Sequence, residues 1–451
     1  MKNNKLAFMM LTAGCGGMLF DFGGTVINPA IPYFEALGMF TTAQISHLTS
    51  AVVLSAAFAG LAAGFFAEKF GRKRTMLFAA VLAACACLPI CLGGTYPLLY
   101  LGRILQGVAA GLIGVVVPMY LAECLPADLR GKGAGMFQFM DVVGILFCSL
   151  VGLAVVFLLG PADSSAVTVA AKHQAWKAIF WSSAVPAVVF FFGALGLDES
   201  PVWLEKQSRG TAASSEELSP EPACSEPLFR RKYVLPFALA LAVLFCNQAT
   251  GCNAIQYYAL KMFQDAGLSN KIASFANVAL WGAMLGMTVV GGMLVDKSGR
   301  KTLLAAGTAA MVVANVLAGF VFLALSKGWM QPSLLSGVLA VAGVALFICG
   351  FSVGPGVVVW LALSELMPDR IRANGMAIGL FVNMMTAYLI ADVFLVWVEK
   401  CGYCTVLFSL SAFALLYFLV AVFLLPETKG KTLAEIEAFF SGTTEKKGEL
   451  Q

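Results

Sequence analysis

The residues best suited to chemistry are charged side chains that occur twice in the chain, in the same order. In each set an acidic residue precedes a Gly-Arg-Lys run, and a Glu, an Arg seven residues later and a final Glu follow. Guanidinium groups bind carboxylates through paired hydrogen bonds, and a network of such pairs can bias a two-state equilibrium as it forms and breaks. We therefore interpret the two sets as a gate network that cross-links helix ends. Its members are Glu68, Arg72, Glu123, Arg130 and Glu199 in the first set and Asp296, Arg300, Glu365, Arg372 and Glu427 in the second.

Three other ionisable residues, Asp21, Arg103 and Asp141, lie within stretches that are otherwise apolar. An ionisable group inside a membrane is a candidate for function because its charge is costly there. Asp141 follows Gln138 by three residues, which places both on roughly the same face of a helix. We consider the two acids as candidates for carrying a proton, with Arg103 tuning the acid.

The composition identifies the elements that must hold these residues. Hydrophobic residues make up 60% of the 451 residues and charged residues only 12%, whereas about a quarter of a soluble globular protein is charged. About 20 apolar residues span the hydrocarbon core as a helix, and in lipid a helix satisfies its own backbone polar groups. The sequence therefore predicts an all-α membrane protein with twelve transmembrane helices. The predicted spans are Leu6–Ala30, Ala36–Ala67, Thr75–Leu92, Ile104–Ala122, Val142–Ala162, Ala178–Leu197, Val234–Leu260, Ile272–Val295, Thr302–Ser326, Gly328–Ser364, Ala373–Ala391 and Cys401–Pro426.

The distribution of basic residues predicts the orientation. Most of the 29 Lys and Arg residues lie at the termini and in the loops on the same side as the termini, and such loops are cytoplasmic. We expect both termini in the cytoplasm and an integral protein of the plasma membrane, which in a bacterium is the inner membrane. The net charge of +4 gives no reason to expect a nucleic-acid partner. We expect a monomer in the lipid bilayer.

The repeated charges also divide the chain into two related halves. A Ser-, Glu- and Pro-rich segment separates them, so we predict an N-terminal six-helix bundle (1–204), a cytoplasmic linker (205–232), a C-terminal six-helix bundle (233–426) and a cytoplasmic tail (427–451). Matching residues lie on the same side of the membrane, so the repeat is parallel and predicts a solute site between the halves, near the midplane.

Other chemistry is disfavoured. The chain has only two histidines and no nucleotide-binding loop or credible nucleophile–base pair, so we expect neither an enzyme nor a cofactor or metal. Cys401 and Cys404 form a CxxC that is either a disulfide or two free thiols.

Several motifs resemble those of one transporter family. They are Gly102-Arg103, Pro118 to Glu123 with Arg130-Gly131, Glu199 to Leu204, Gln248 to Asn253 with Tyr257-Tyr258, Gly354-Pro355-Gly356 with Trp360, and Pro426 to Gly430. The chain thereby resembles, over nearly its whole length, the sugar porter family of the major facilitator superfamily, which includes bacterial sugar–proton symporters and animal facilitative glucose transporters.

The resemblance implies two pseudo-symmetric six-helix bundles and a secondary transporter that works by alternating access. It also implies sugar-binding residues on helices 5, 7, 10 and 11. Gly251 lies between the helix 7 amides, and we expect it to break that helix so that the amides on both sides face one cavity. Carboxamides suit paired hydroxyls because they donate and accept at once, and an indole can pack on a sugar ring. Tyr257 either closes the outer gate or serves packing. The implied substrate-binding residues are Gln138, Asn247, Gln248, Asn253, Tyr257, Trp360 and Asn383.

The chain departs from the family pattern where coupling and specificity are set. Proton-coupled members pair a helix 1 Asp with the helix 4 arginine, here Arg103, but the matching position is Gly23. Asp21 is two residues earlier, which rotates it about 200° around the helix. Proton symport through Asp21 or Asp141, uncoupled facilitation and a transporter-like sugar sensor all stay open. Met384 replaces a frequent Trp, so a pentose, deoxy sugar or polyol fits as well as glucose, and another small organic solute stays open as an alternative substrate.

Overall fold

A computed structural model describes residues 2–212, 231–366, 372–427 and 429. Within these ranges eleven helical stretches are long and apolar enough to cross a membrane, and the last of them, Gly375–Leu424, has 50 residues. This long stretch is interrupted at Gly402, whose φ of 78° and ψ of 157° are not helical. It therefore forms two spans, and the predicted all-α fold with twelve spans is confirmed.

The spans are numbered in chain order, spans 1–6 forming the first half and spans 7–12 the second. Four of them (spans 1, 6, 7 and 10) consist of two helices each, and spans 11 and 12 share one helix. The helices are Lys2–Thr25 and Ile31–Ala36 (span 1), Thr42–Phe70 (span 2), Arg72–Gly93 (span 3), Tyr96–Cys124 (span 4), Ala127–Leu159 (span 5), Val169–Trp181 and Ala184–Leu195 (span 6), Arg231–Ala249 and Cys252–Asp265 (span 7), Asn270–Ser298 (span 8), Arg300–Ser326 (span 9), Leu334–Val353 and Pro355–Leu366 (span 10), and Arg372–Leu419 (spans 11 and 12), extended by the π-helical turn Val420–Leu424.

Local sequence explains where several helices begin and end. Thr41 caps span 2 in a capping box with Gln44, which satisfies backbone N–H groups that lack helical partners. Gly71 and Gly299 separate spans 2 and 3, and spans 8 and 9, with φ of 97° and 84°, values that favour glycine because it lacks a β-carbon. Gly251, with φ of 80°, begins the second helix of span 7, so the helix break expected at this glycine is present.

The two ends of the bundle differ in how the halves pack. We call the end at which Gly71 and Gly299 lie the basic end, and the end with loops 37–41 and 160–168 the opposite end. One apolar cluster at the opposite end combines both halves, with Trp176 from the first and Tyr258 from the second. At the basic end, separate clusters fill each half. The halves therefore share a core only towards the opposite end.

The proposed linker and tail are described only in part. Residues 205–212 form the second part of the helix Pro201–Ala212, and residues 213–230 lie outside the described chain. Of the tail 427–451, the structure describes Glu427 and Lys429.

Candidate functional site

Three amides that the sequence predicted lie buried where span 7 breaks. Asn247 and Gln248 end the first helix of span 7 just before Gly251. The Gln248 Nε2 donates to Asn383 Oδ1 of span 11 at 3.3 Å, and the Asn383 Nδ2 donates to the carbonyl oxygen of Leu244 at 3.0 Å. All three amides are buried. The Gln248–Asn383 bond leaves further donor and acceptor positions on both amides.

Asn253 lies on the other side of the same helix break. The Cys252 thiol is 3.3 Å from Gln248 Oε1 and 3.7 Å from Asn253 Oδ1. Gly251 permits this arrangement because its left-handed backbone ends one helix and starts the next. The structure thus brings the two predicted amides to either side of a single thiol.

Gln138 and Asp141 form a second polar group on span 5. The Gln138 Nε2 donates to Asp141 Oδ2 at 3.0 Å, and the Asp141 Oδ1 is buried without a hydrogen-bond partner among the described residues. Spans 1 and 5 cross closely here, because a β-carbon at Gly17 would overlap the carbonyl oxygen of Phe137. The predicted sugar ligand Gln138 is therefore engaged with the predicted proton carrier.

Asp21 contacts the second half through a residue that the sequence analysis missed. The Gln256 Nε2 of span 7 donates to Asp21 Oδ2 at 3.1 Å. A β-carbon at Gly24 would lie 3.3 Å from the Tyr257 hydroxyl and 3.5 Å from Asp21 Oδ1, so these groups are neighbours. The signal for Gln256 was available: it is an amide in an apolar span, one helical turn beyond Asn253.

Arg103 bonds to neutral oxygens. Its guanidinium donates to the carbonyl oxygens of Leu48 (2.9 Å), Gly23 (2.5 Å) and Gly24 (3.2 Å) and to Gln106 Oε1 (2.8 Å). Among the described side chains no carboxylate forms an ion pair with it. The structure therefore does not pair Arg103 with either candidate acid.

Trp360 differs from the amides because its side chain is not buried. The residue is 39% exposed and lies on the helix Pro355–Leu366, closer to the basic end than the helix break at Gly354. Its exposure therefore distinguishes it from the buried amides.

At the basic end, Arg72 holds three helices of the first half together. Its guanidinium makes bonds of 2.9 and 2.7 Å with the two carboxylate oxygens of Glu123, and the Ser200 hydroxyl donates to Glu123 Oε2 at 2.5 Å. The Glu199 Oε1 accepts from the backbone N–H groups of Arg72 (2.9 Å) and Lys73 (3.0 Å). Glu199 thus caps span 3, where the helix dipole favours a negative charge.

The second half repeats the cap. The Glu427 carboxylate accepts from the backbone N–H groups of Arg300 (2.9 Å) and Lys301 (3.2 Å). Sequence reasoning placed these Glu residues in a network of ion pairs and missed that they cap helices, although each lies near a helix that starts at Gly-Arg-Lys. The side chains of Arg130, Asp296, Glu365 and Arg372 lie outside those that the structure describes.

Two exposed ion pairs also lie at the basic end. Glu68 is 3.6 Å from the Lys206 ammonium, and its carbonyl oxygen accepts from the Trp203 indole at 2.7 Å. The Lys5 ammonium donates a hydrogen bond to Asp198 and holds the pKa of that exposed carboxyl below its usual range. Both pairs are solvated, so we expect them to contribute little to stability.

The opposite end is closed by contacts between the halves. Lys261 of span 7 is 2.8 Å from Glu35 of span 1. The Asp392 carboxylate of span 11 is 2.7 Å from His47 Nδ1 and accepts from the Ser50 hydroxyl at 2.6 Å, both on span 2. Cys401 and Cys404 at this end are free thiols in this structure.

The sequence of this chain also matches a known family. The family model described as "Sugar (and other) transporter" matches residues 16–219 and 211–440. The chain belongs to this family. It is therefore a transporter and not an enzyme, as expected.

Named relatives and solved structures resemble this transporter over nearly its whole length. It is 29% identical to plastidic glucose transporter 4 of Arabidopsis thaliana, covering 94% of this chain and 78% of the relative. It is 25% identical to the arabinose-proton symporter of Bacillus subtilis (strain 168), covering 97% and 96%. A crystal structure of a D-xylose-proton symporter superposes with a TM-score of 0.78 and 24% identity, covering 95% and 100%. This structural likeness confirms the major facilitator fold.

Proposed function

We propose that this transporter moves a sugar or a sugar-like polyol across the membrane by alternating access. The observation that carries the proposal is the set of amides at the break in span 7. Gln248 is bonded to Asn383, and Gln248 and Asn253 both lie beside the Cys252 thiol. Such amides can exchange their mutual bonds for bonds to the hydroxyl pairs of a sugar. Relatives named for glucose and arabinose support the same substrate class.

Alternating access is supported by the unequal packing of the two ends. The halves share an apolar core at the opposite end and have separate cores at the basic end. Rocking the two bundles about the central site would reverse this arrangement. We propose that the basic end and both termini are cytoplasmic, because the Lys and Arg residues are concentrated there, and that the protein resides in the plasma membrane, the inner membrane of a bacterium.

We further propose that transport is coupled to proton symport through Asp21 or Asp141. Neither carboxylate forms an ion pair with a described cationic side chain. Asp141 is buried and Asp21 lies partly buried within an apolar span. A carboxylate without a cation is costly in such places, so protonation before the site reorients would relieve that penalty. Uncoupled facilitation is the second candidate, favoured by Gly23 and by an Arg103 that is satisfied by backbone carbonyls.

The substrate proposal is tested by binding to the purified protein. A ligand that binds only the folded state raises the apparent stability, so a thermal-shift screen of hexoses, pentoses and polyols is expected to identify at least one ligand. Gln248→Leu is expected to lower its affinity at least tenfold, since two or more hydrogen bonds to hydroxyls are lost. The control Thr308→Val removes a buried hydroxyl whose partners among the described residues are the carbonyl oxygens of Leu304 and Ala305 in its own span. A ligand that binds Gln248→Leu and Thr308→Val equally well would refute the amide site.

The coupling proposal is tested in proteoliposomes with the ligand found in that screen. Solute-driven alkalinisation of the medium is expected for the wild-type protein. Asp21→Asn or Asp141→Asn is expected to abolish uphill uptake while counterflow of labelled solute continues. Uphill uptake that survives both substitutions would remove the two acids from the mechanism.

A further inference from the structure

Asn28 of span 1 makes an unusual set of contacts with the second half. Its Nδ2 donates to the carbonyl oxygen of Gln256 at 3.1 Å, and its Oδ1 accepts from the backbone N–H of Leu260 at 3.3 Å. The Nδ2 is also 3.4 Å from Asn277 Oδ1 of span 8. The side chain is 3% exposed. The Asn28 carboxamide therefore bonds to both span 7 and span 8 of the second half.

The two backbone groups that Asn28 contacts belong to one helical turn. Gln256 and Leu260 are four residues apart within the helix Cys252–Asp265, and in an α-helix the N–H of one residue bonds to the carbonyl of the residue four before it. When Asn28 withdraws, these two groups still have each other as partners. The Asn277 Oδ1 likewise keeps the bond it accepts from the Trp281 indole at 3.0 Å.

We infer that Asn28 is the latch that keeps the opposite end closed, and that it is a positioning residue for transport. A buried hydrogen bond between the halves stabilises the closed state. When the halves separate, most of the free-energy cost comes from any donor or acceptor that is left unpaired. That penalty is small on the acceptor and donor of span 7, because the helix supplies their partners. The latch therefore favours the closed state only by the net contribution of its hydrogen bonds, so it shifts the equilibrium towards closure without preventing opening.

The location of Asn28 separates it from the other inter-half contacts. The Glu35–Lys261 pair lies nearer the surface, with 38% of the Glu35 side chain exposed, and solvated ion pairs contribute little. Asn28 follows the first helix of span 1 and begins a short 3-10 turn with Pro29. Gln256 of span 7, which contacts Asn28, also bonds to Asp21. Span 1 thus holds one turn of span 7 at two points, both next to the proposed solute site.

The test measures closure of the opposite end without any solute. Spin labels at Ser165 and Lys327, which are exposed on loops of different halves at this end, are introduced into protein whose 12 cysteines are replaced. Pulsed electron paramagnetic resonance then gives the populations of the shorter, closed and longer, open distances. Asn28→Leu has nearly the same volume and makes none of the bonds, so we expect the open-to-closed ratio to rise about tenfold.

Asn315→Leu is the matched control, because Asn315 is equally buried on span 9 of the second half. It is expected to change the ratio less than twofold. A residue with only a structural role would lower the unfolding temperature and leave the ratio unchanged. If Asn28→Leu does not fold, Asn28→Ser provides the same test with a side chain too short to reach span 7.

An unchanged ratio in a folded Asn28 variant, or an equal rise in Asn315→Leu, would overturn the latch. The inference rests on the proposed alternating access but not on the identity of the solute. Loss of sugar binding in the thermal-shift screen would refute the substrate and leave these distances unaffected. An unchanged ratio would refute the latch and leave the amide site intact.

Discussion

The basic end and the opposite end are both rich in polar contacts, but the contacts connect different things. At the basic end, Glu199 and Glu427 accept from equivalent backbone N–H groups in their own halves. At the opposite end, the Glu35–Lys261 and His47–Asp392 contacts each join one half to the other, and their residues are not repeated between the halves. The repeated contacts hold each half together, whereas the unrepeated ones hold the halves to each other.

This difference changes the interpretation of the duplicated charges. The sequence suggested a network that forms when the basic end closes and breaks when it opens. Arg72 and Glu123 are paired inside the first half although the halves pack together only at the opposite end. We therefore interpret the described part of the network as a clamp that keeps each half rigid. The contacts between halves then set the equilibrium between conformations.

The largest effect is expected from breaking the clamp. Arg72→Leu leaves the Glu123 carboxylate, whose side chain is 15% exposed, without its bidentate partner. Removing one member of a buried ion pair destabilises by about 3 kcal/mol. We expect that loss in the free energy of unfolding, measured by denaturant titration in detergent micelles, and little change in the Ser165–Lys327 distances.

Lys206→Ala is the control for this clamp. Lys206 and Glu68 form the exposed pair at the same end, with side chains 65% and 67% exposed, and such pairs contribute less than about 1 kcal/mol. Equal losses in Arg72→Leu and Lys206→Ala would contradict the clamp. A change in the Ser165–Lys327 distances without the expected loss of unfolding free energy would make Arg72 part of the gate.

A smaller effect is expected from replacing Gly71, which lies at the turn between spans 2 and 3, next to Arg72. An Ala at Gly71 would be strained at φ 97°, and its β-carbon would overlap the Glu199 carboxylate that caps span 3. Strain and loss of the cap together are expected to lower the free energy of unfolding by about 2 kcal/mol. Circular dichroism during thermal unfolding in micelles measures the loss.

Gly402→Ala at the opposite end separates the two causes. Its φ of 78° is also positive, but the nearest atom to the new β-carbon is the Cys404 sulfur at 4.0 Å. Only the backbone strain of about 1 kcal/mol is expected there. If both variants lose the same stability, the Glu199 cap contributes nothing measurable.

Sequence reasoning succeeded where the signal is local. Apolar length predicted the twelve spans, and the glycine at position 251 predicted the break in span 7, because hydropathy and positive φ depend on nearby residues alone. The amides Gln248 and Asn253 were predicted by a motif, and the structure brings both to Cys252. These features depend little on how the two halves meet.

Contacts between the halves were not predictable in this way. Asn28 and Gln256 look like ordinary polar residues in apolar spans, and their partners are more than 200 positions away in the chain. The Asp392 carboxylate likewise bonds to His47 and Ser50 of the other half, which lie more than 300 positions away in the chain. Which side chains meet across the interface depends on how spans 1, 2, 7 and 11 cross, and a single sequence does not encode that crossing locally.

The smallest effect is expected at the rim of the opposite end. Lys261→Met leaves Glu35 and Asp265 without the ammonium that lies 2.8 and 3.3 Å from them. Because these carboxylates are partly solvated, the loss is expected to be below about 1 kcal/mol, which corresponds to a rise in the open-to-closed ratio of less than about fivefold. The free energy of unfolding should change less than in Arg72→Leu, because each half keeps its own clamp.

The control is Lys400→Met. Lys400 is an exposed lysine at the same end, and its substitution should leave the ratio unchanged. A Lys261→Met variant that loses unfolding free energy but keeps the wild-type ratio would show that this pair stabilises one half, and the division of roles between the two ends would then fail at its most exposed contact.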